Sequence, residues 1–261
     1  MPAEGRGAVR GALHAWSEGG LFLLASRAAR WAGFQRRAEA IAAIGAARAL
    51  RRNRPASLPD TISLANDFDY GGVSIRPMQL SREIRSFLTL LEADPPRAVL
   101  EIGTGRGGTL FLLAQVAHDD ALLVSIDEPG GAYAFGGRPE YKRRARLYRA
   151  LGRDRQRIVY IAGDSHRDET RTEVLEALRG ELLDLLFIDG DHTSEGVERD
   201  FEMYSPLVRA GGLVAFHDIV PGPSAEVGGV PSFWQQIRDP EAIEIVEDRQ
   251  QRSFGIGVLR L

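Results

Sequence analysis

Two short stretches of this chain gather ionisable side chains where a folded protein seldom keeps them. In LLFIDGDH, residues 185–192, an apolar run ends in Asp189, Asp191 and His192. In GGLVAFHD, residues 211–218, a second apolar run ends in His217 and Asp218. A strand interior does not tolerate such clusters, because a charge taken out of water must be paired or neutralised. The carboxyl end of a strand in an open parallel sheet does tolerate them, since ligand crevices open there. If the two runs are neighbouring strands, Asp189, Asp218 and His217 can meet. Carboxylates plus water suit a hard divalent cation such as Mg²⁺, and an imidazole in the set also admits Mn²⁺ or a softer metal. The structural alternatives are a strand-end cap for Asp189, a helix-start polar residue for His192 and a buried hydrogen-bonder for His217. Asp191 reads better as a supporting or capping group than as a ligand. His14, His118 and His166 belong to no constellation and read as surface residues.

The elements that would position these groups follow from hydrophobic periodicity. Apolar runs at 98–103, 121–127, 158–164, 182–189 and 211–218 predict strands. Helical spacing at 108–117, 140–151, 169–178 and 195–208 alternates with them, after a helix at 78–91 that DPP at 94–96 terminates. This alternation predicts a Rossmann-like α/β fold with a mostly parallel sheet of seven strands and helices on both faces. Segments 241–247 and 254–261 complete it as an antiparallel hairpin at the edge. Residues 8–52 read as two or three helices, and RNRPASLPD at 52–60 as a linker. The chain therefore divides into a basic helical extension, 1–70, and a catalytic-type domain, 71–261.

A glycine loop leaves the first of these strands. In EIGTGRGGT, residues 101–109, Gly103, Gly105 and Gly108 satisfy G-x-G-x-x-G, a pattern that fits several nucleoside cofactors. Asp127, ending the next strand, is placed to accept from ribose hydroxyls. Glu101, two residues before the first glycine, suits a cationic amino or sulfonium group and would repel a pyrophosphate. Asp164 and Ser165, in GDS after the third strand, suit an adenine amino group. With the terminal hairpin, these features make residues 78–261 resemble the class I S-adenosylmethionine-dependent methyltransferases. The resemblance implies S-adenosylmethionine as cofactor, lined by Glu101, Gly103, Gly105, Asp127, Asp164 and Ser165. Thr104 and Thr109 of the same loop, and Gln79 ahead of the first strand, are assigned to the same set.

Residues 187–219 are similar to one branch more closely: the metal-dependent small-molecule O-methyltransferases, including the macrolide-sugar O-methyltransferases and the proteins called cephalosporin hydroxylases. GGVPSFW at 228–234 and the glycine-rich segment 128–141 fit that branch. In the sugar enzymes a D-G-x-H segment supplies a metal-ligand aspartate and a histidine base, which fall on Asp189 and His192. Their second metal motif is an acidic pair, here His217-Asp218, so His217 departs from the pattern. The implied acceptor is a hydroxyl of a sugar, glycan or glycosylated natural product, with a catechol-like phenol as the alternative. Tyr133 and Trp234, in two lid-like loops, are candidate acceptor contacts.

Composition narrows the field. A hydrophobic content of 44% supplies a core, no run approaches a membrane span, and the absence of cysteine excludes disulfides and thiolate metal sites. The N-terminus makes a poor signal peptide, so a cytoplasmic location is expected. Residues 1–54 hold ten arginines and three glutamates, a net +7 in a chain of formal charge −3. That arm either packs on the acidic body or meets an anionic partner or membrane surface; no nucleic-acid motif is present. A homo-oligomer, most simply a dimer, is expected. A nicotinamide-dependent oxidoreductase is the competing enzyme class. Glu101, the terminal hairpin and the lack of a Tyr-x-x-x-Lys pair (residue 138 is Arg) argue against it. A hydroxylase lacks an evident iron triad, a P-loop enzyme lacks G-K-[ST], and a non-enzymatic assembly protein would not need the acidic cluster.

Overall fold

The central strands are apolar along their whole length, which only a sheet covered on both faces can accommodate. The computed structural model describes residues 35–128, 144–248 and 250–261, with Leu23 and Ala25. Within these residues a helix α1 (Gln35–Arg52) and a helix α2 (Leu58–Asp67) precede a two-strand ribbon, β1 (Asp69–Tyr70) and β2 (Val73–Ser74). Helix α3 (Ser81–Glu92) then leads into β3 (Ala98–Ile102), α4 (Gly108–Val116), β4 (Leu122–Asp127), α5 (Ala145–Tyr148) and β5 (Arg157–Ala162). After α6 (Asp168–Leu178) come β6 (Leu183–Ile188), α7 (Ser194–Tyr204) and β7 (Val208–His217). The chain ends with α8 (Ser224–Val227), α9 (Val230–Ile237), β8 (Ile243–Ile245) and β9 (Ile256–Arg260).

The seven-stranded sheet has the order β5-β4-β3-β6-β7-β9-β8. Strands β3 to β7 pair in parallel, and β9 runs antiparallel between β7 and β8. The hairpin expected at the edge is present, with its last strand inserted inward. Residues alternate between two cores. Val99, Leu123, Leu185, Phe187 and Ala215 face α1 to α5. Leu100, Ile102, Val124, Ile126, Leu186, Ile188 and Phe216 face α6, α7 and α9. Helix α4 is buried on nearly all sides because α2 and α3 cover the face turned away from the sheet.

The segment read as a linker is shorter than expected. Ser57 caps α2, its hydroxyl accepting from the Asp60 amide at 3.3 Å, and Pro59 sits in the first helical turn where its missing N–H is harmless. Helix α1 lays Ala38, Ala42, Ala43, Ala46 and Leu50 into the interior and leaves Arg51 and Arg52 exposed. Among the described residues no helix is long and apolar enough to cross a membrane.

Sheet order sets the site. The chain runs outward from β3 to β5, then crosses back so that β6 lies on the other side of β3. Between β3 and β6 the connections diverge, and a ligand crevice opens at such a switch point. Register aligns the strand ends: Ile102 pairs with both Ile126 and Ile188, and Ile188 with Phe216. Gly103, Asp127, Asp189 and His217 therefore emerge in one row.

Candidate active site

A cleft of about 660 Å³ lies over that row, lined from the glycine loop at one end to Asp218 and Phe254 at the other. At Gly103 the backbone has φ +98°, and a Cβ there would lie 1.9 Å from the Asp189 carbonyl oxygen. Only glycine lets β3 turn into its loop against the end of β6.

The first half of the cleft is built from β3, β4 and β5. Asp127 accepts a bond from the Gly105 amide at 3.3 Å through Oδ1, while its Oδ2 is buried with no partner among the described residues. Burial raises its pKa to about 6, with Glu128 nearby adding to the rise and the Gly105 bond opposing it. A carboxylate aimed into a cleft with one oxygen unsatisfied fits a ligand that brings hydroxyl donors. Asp164 and Ser165 line the same end. Asp164 Oδ1 accepts from the His166 amide at 2.8 Å, and the Ser165 carbonyl accepts from Tyr204.

Four residues assigned to the cofactor lie one layer behind this wall. Glu101 is fully buried beneath the loop, where Ser125 donates to its Oε2 and Oε1 has no partner among the described residues. Burial lifts its pKa to about 8. Strand alternation turns it toward the core of α1 to α5, away from the cleft. Thr104 bonds Ser125 and the Ile126 carbonyl. Thr109 donates to Gln79 Oε1 at 2.7 Å, and Gln79 Nε2 donates to Asp189 Oδ2 at 2.8 Å. Gln79 and Thr109 thus hold Asp189 instead of lining the cleft.

The second half is built from the ends of β6 and β7. His217, almost wholly buried, directs Nδ1 at both carboxylates, 3.1 Å from Asp189 Oδ1 and 3.2 Å from Asp218 Oδ2. His192 places Nδ1 2.6 Å from the Glu226 carbonyl oxygen and Nε2 3.5 Å from Asp189 Oδ1. A carbonyl can only accept, so Nδ1 carries a proton and a neutral His192 has its lone pair on Nε2, facing Asp189. Burial works against charge on both rings, but the facing carboxylates raise both histidines above the ordinary imidazole value. Burial also works against ionising Asp189, yet the two imidazoles hold it well below the usual carboxylate range. Asp218 adopts a left-handed conformation, φ +63°, and accepts from the Phe254 amide at 3.0 Å.

Asp189, His192 and Asp218 offer ligand atoms within 4.8 Å of one another. Two carboxylates at the end of an open cleft, with an imidazole beside them, fit a divalent cation held by the carboxylates. His217, read in the sequence as a further ligand, is not part of this group: its Nδ1 spans the two carboxylates, and its Nε2 is buried with no partner among the described residues. Asp191 bonds the Thr193 amide at 2.9 Å at the start of α7, the supporting role expected of it.

Two further expectations change. Trp234 is fully buried, packed on Phe216 with ring centroids 5.8 Å apart and donating to Glu244 at 2.7 Å, so it is a core residue and not an acceptor contact. Its position on the apolar face of α9 explains this. His166 is no surface residue: it lines the cleft with Nε2 3.2 Å from Asp200, which is fully buried. The adjacency of His166 to GDS was a signal for it, but its partner lies 34 positions on. Ser253, Phe254 and Glu226 also line the cleft, and nothing in their sequence context marks them. Tyr133 lies outside the described residues.

Residues 100–219 match the family model for a methyltransferase domain. That span includes the glycine loop, Asp127, Asp189, His192 and Asp218. A protein named "Putative O-methyltransferase" from Mycolicibacterium paratuberculosis is 31% identical over 169 residues, 62% of this chain and 62% of the relative. An uncharacterized protein of Acanthamoeba polyphaga mimivirus is 32% identical over 120 residues, 46% of this chain and 50% of the relative. The chain spans less than two thirds of these relatives, and its match covers 14% of an uncharacterized protein of Sinorhizobium fredii. A solved structure titled as a putative caffeoyl-CoA O-methyltransferase from Staphylococcus aureus aligns with a TM-score of 0.52 at 18% identity, covering 80% of this chain and 95% of that one. At that identity the likeness attests the fold.

Proposed function

We propose that this chain is an S-adenosylmethionine-dependent O-methyltransferase that also requires a divalent cation, Mg²⁺ or Mn²⁺, and methylates a hydroxyl of a sugar, glycan or glycosylated natural product. One observation carries the reading: Asp189, His192 and Asp218 converge at one end of a cleft whose other end presents Asp127 with an unsatisfied oxygen. The family match and the O-methyltransferase relatives support the class.

S-adenosylmethionine supplies an electrophilic methyl group for in-line displacement, leaving the protein to orient the nucleophile and accept its proton. Asp127 would hold the ribose hydroxyls, and Asp164 and Ser165, lining the same end of the cleft, would hold the adenine. Asp189 and Asp218 would hold a divalent cation, which would supply Lewis acidity toward an aliphatic hydroxyl, a poor nucleophile at neutral pH. Gln79 and His217 fix the Asp189 carboxylate. His192 Nε2 accepts the hydroxyl proton while its Nδ1–H stays bonded to the Glu226 carbonyl, which keeps the ring in one orientation. A homodimer and an anionic surface met by the basic arm belong to the same reading, and light scattering and vesicle sedimentation test them.

The test is transfer of a labelled methyl group to a panel of sugars and catechols. Turnover on a sugar hydroxyl, abolished by EDTA and restored by Mg²⁺ or Mn²⁺, is expected. Full activity after exhaustive chelation contradicts the metal requirement, and transfer only to catechols contradicts the acceptor class.

A further inference from the structure

Glu83, in the first turn of α3, has almost no exposure, yet it is a carboxylate. Its oxygens accept from three donors, all in the segment joining β8 to β9: the Glu247 amide at 3.0 Å, Gln251 Nε2 at 2.7 Å and the Gly255 amide at 2.9 Å. A buried carboxylate is costly unless so satisfied. Among the described residues, all three donors lie in one loop, more than 160 positions away in sequence.

That loop holds an unusual backbone. Ser253, Phe254 and Gly255 have φ of +93°, +66° and +83°. Two non-glycine residues in succession at positive φ are strained, and such backbone persists only where its surroundings impose it. Between the bonds that Glu83 makes at Gln251 and Gly255, the loop turns inward and the Phe254 amide donates to Asp218 Oδ1. The Ser253 hydroxyl donates to Glu226 Oε2 at 3.0 Å, and the Glu226 carbonyl accepts from His192. Gln79, four residues before Glu83, bonds Asp189 directly. The start of α3 thus reaches both carboxylates of the site from behind: Asp189 through Gln79, and Asp218 through Glu83 and the strained loop.

We propose that Glu83 is a positioning residue of the metal end of the cleft, holding residues 251–255 in the conformation that aims Asp218 beside Asp189. The inference rests on the proposed divalent-cation site. Glu83 does not touch that site, and the Asp127 end is built from other strands. Its removal should therefore separate the two halves, where a general loss of fold would weaken both.

The experiment measures Mn²⁺ affinity by electron paramagnetic resonance and S-adenosylhomocysteine affinity by calorimetry, for wild type, Glu83→Gln and Gln251→Ala. An amide at position 83 replaces one acceptor oxygen with a donor, so it cannot satisfy the same three donors. Glu83→Gln should bind S-adenosylhomocysteine as wild type does and lose about tenfold or more in Mn²⁺ affinity, the scale of an outer-shell change. Gln251→Ala, which removes one donor and is easier to fold around, should shift Mn²⁺ in the same direction by less. Wild-type Mn²⁺ affinity in both variants, or a parallel loss of both ligands, overturns the role of Glu83. Failure of wild type itself to take up Mn²⁺ overturns the metal reading and this inference with it.

Discussion

Asp127 and Asp189 close β4 and β6, the two strands that flank β3 at the same cleft, and both are largely shielded from water, yet their ionisation is pushed in opposite directions. Asp127 has one amide donor and an orphaned oxygen, and burial raises it to about 6. Asp189 has Gln79, His192 and His217 around it, and the imidazoles outweigh the same burial penalty and hold it low. The protein leaves the first carboxylate incomplete and completes the second. An incomplete acceptor awaits donors from a ligand, as ribose hydroxyls would supply. A carboxylate already surrounded by exchangeable positive charge is prepared to meet a cation, because a divalent ion can replace the imidazole protons without changing the local charge balance.

Substitutions should break this contrast unequally. The largest effect is expected at Asp189. Asp189→Asn should lose cation binding along with turnover, exceeding the ~10²–10⁴-fold that loss of a general base alone carries. Residual metal affinity near wild type, read by electron paramagnetic resonance, would remove Asp189 from the ligand set.

His192→Ala is next. As the base it should slow single-turnover methyl transfer by ~10²–10⁴-fold while leaving cofactor affinity unchanged. Loss of Mn²⁺ affinity together with rate would make it a ligand; a wild-type rate would make it structural. Cation affinity in the native protein should rise with pH, since both histidines are protonated more readily than usual and must release protons before a cation enters. A pH-independent dissociation constant would contradict that exchange.

Asp127→Ala should weaken cofactor affinity by about 1.5–3 kcal/mol, the value of a hydrogen bond to a charged group, with metal affinity intact. The sign of its pH dependence follows from its raised pKa. Ribose hydroxyls favour the ionised carboxylate, so binding should tighten as pH rises through about 6, and Asp127→Asn should flatten the profile. The same shift predicts that the free protein loses stability from Asp127 as pH rises from the unfolded value of about 3.9 toward the folded one.

The smallest effect concerns His166. Its bond with buried Asp200 raises its pKa. The stabilisation is therefore full below the unfolded value of about 6.5 and lost as pH rises through the folded one. His166→Asn should remove that part of the pH dependence of thermal unfolding. An unchanged profile would mean that the pair contributes nothing.

The sheet was legible because strands buried on both faces read as apolar runs, and their ends, where Asp127, Asp189 and Asp218 stand, were marked by abrupt polarity. Depth was not legible. Glu101 stands two residues from the glycine loop, but alternation along β3 turns it away from the cleft, and only the register with Ser125 reveals where it points. Gln79 and Thr109 read as part of the nucleoside end, whereas their bonds run to Asp189, a link that spans 110 positions and depends on how α3 and α4 pack. Trp234 sat in what read as a lid, and periodicity over so short a segment cannot separate a lid aromatic from the buried face of a helix. Glu83 looked like any first-turn glutamate.

The most direct measurement is anomalous diffraction from crystals grown with S-adenosylhomocysteine and Mn²⁺. The account predicts a manganese peak between Asp189 and Asp218 and, in the same map, ribose hydroxyls on Asp127. A bound nucleoside with no manganese between those carboxylates, or a nucleoside seated away from Asp127, would contradict it.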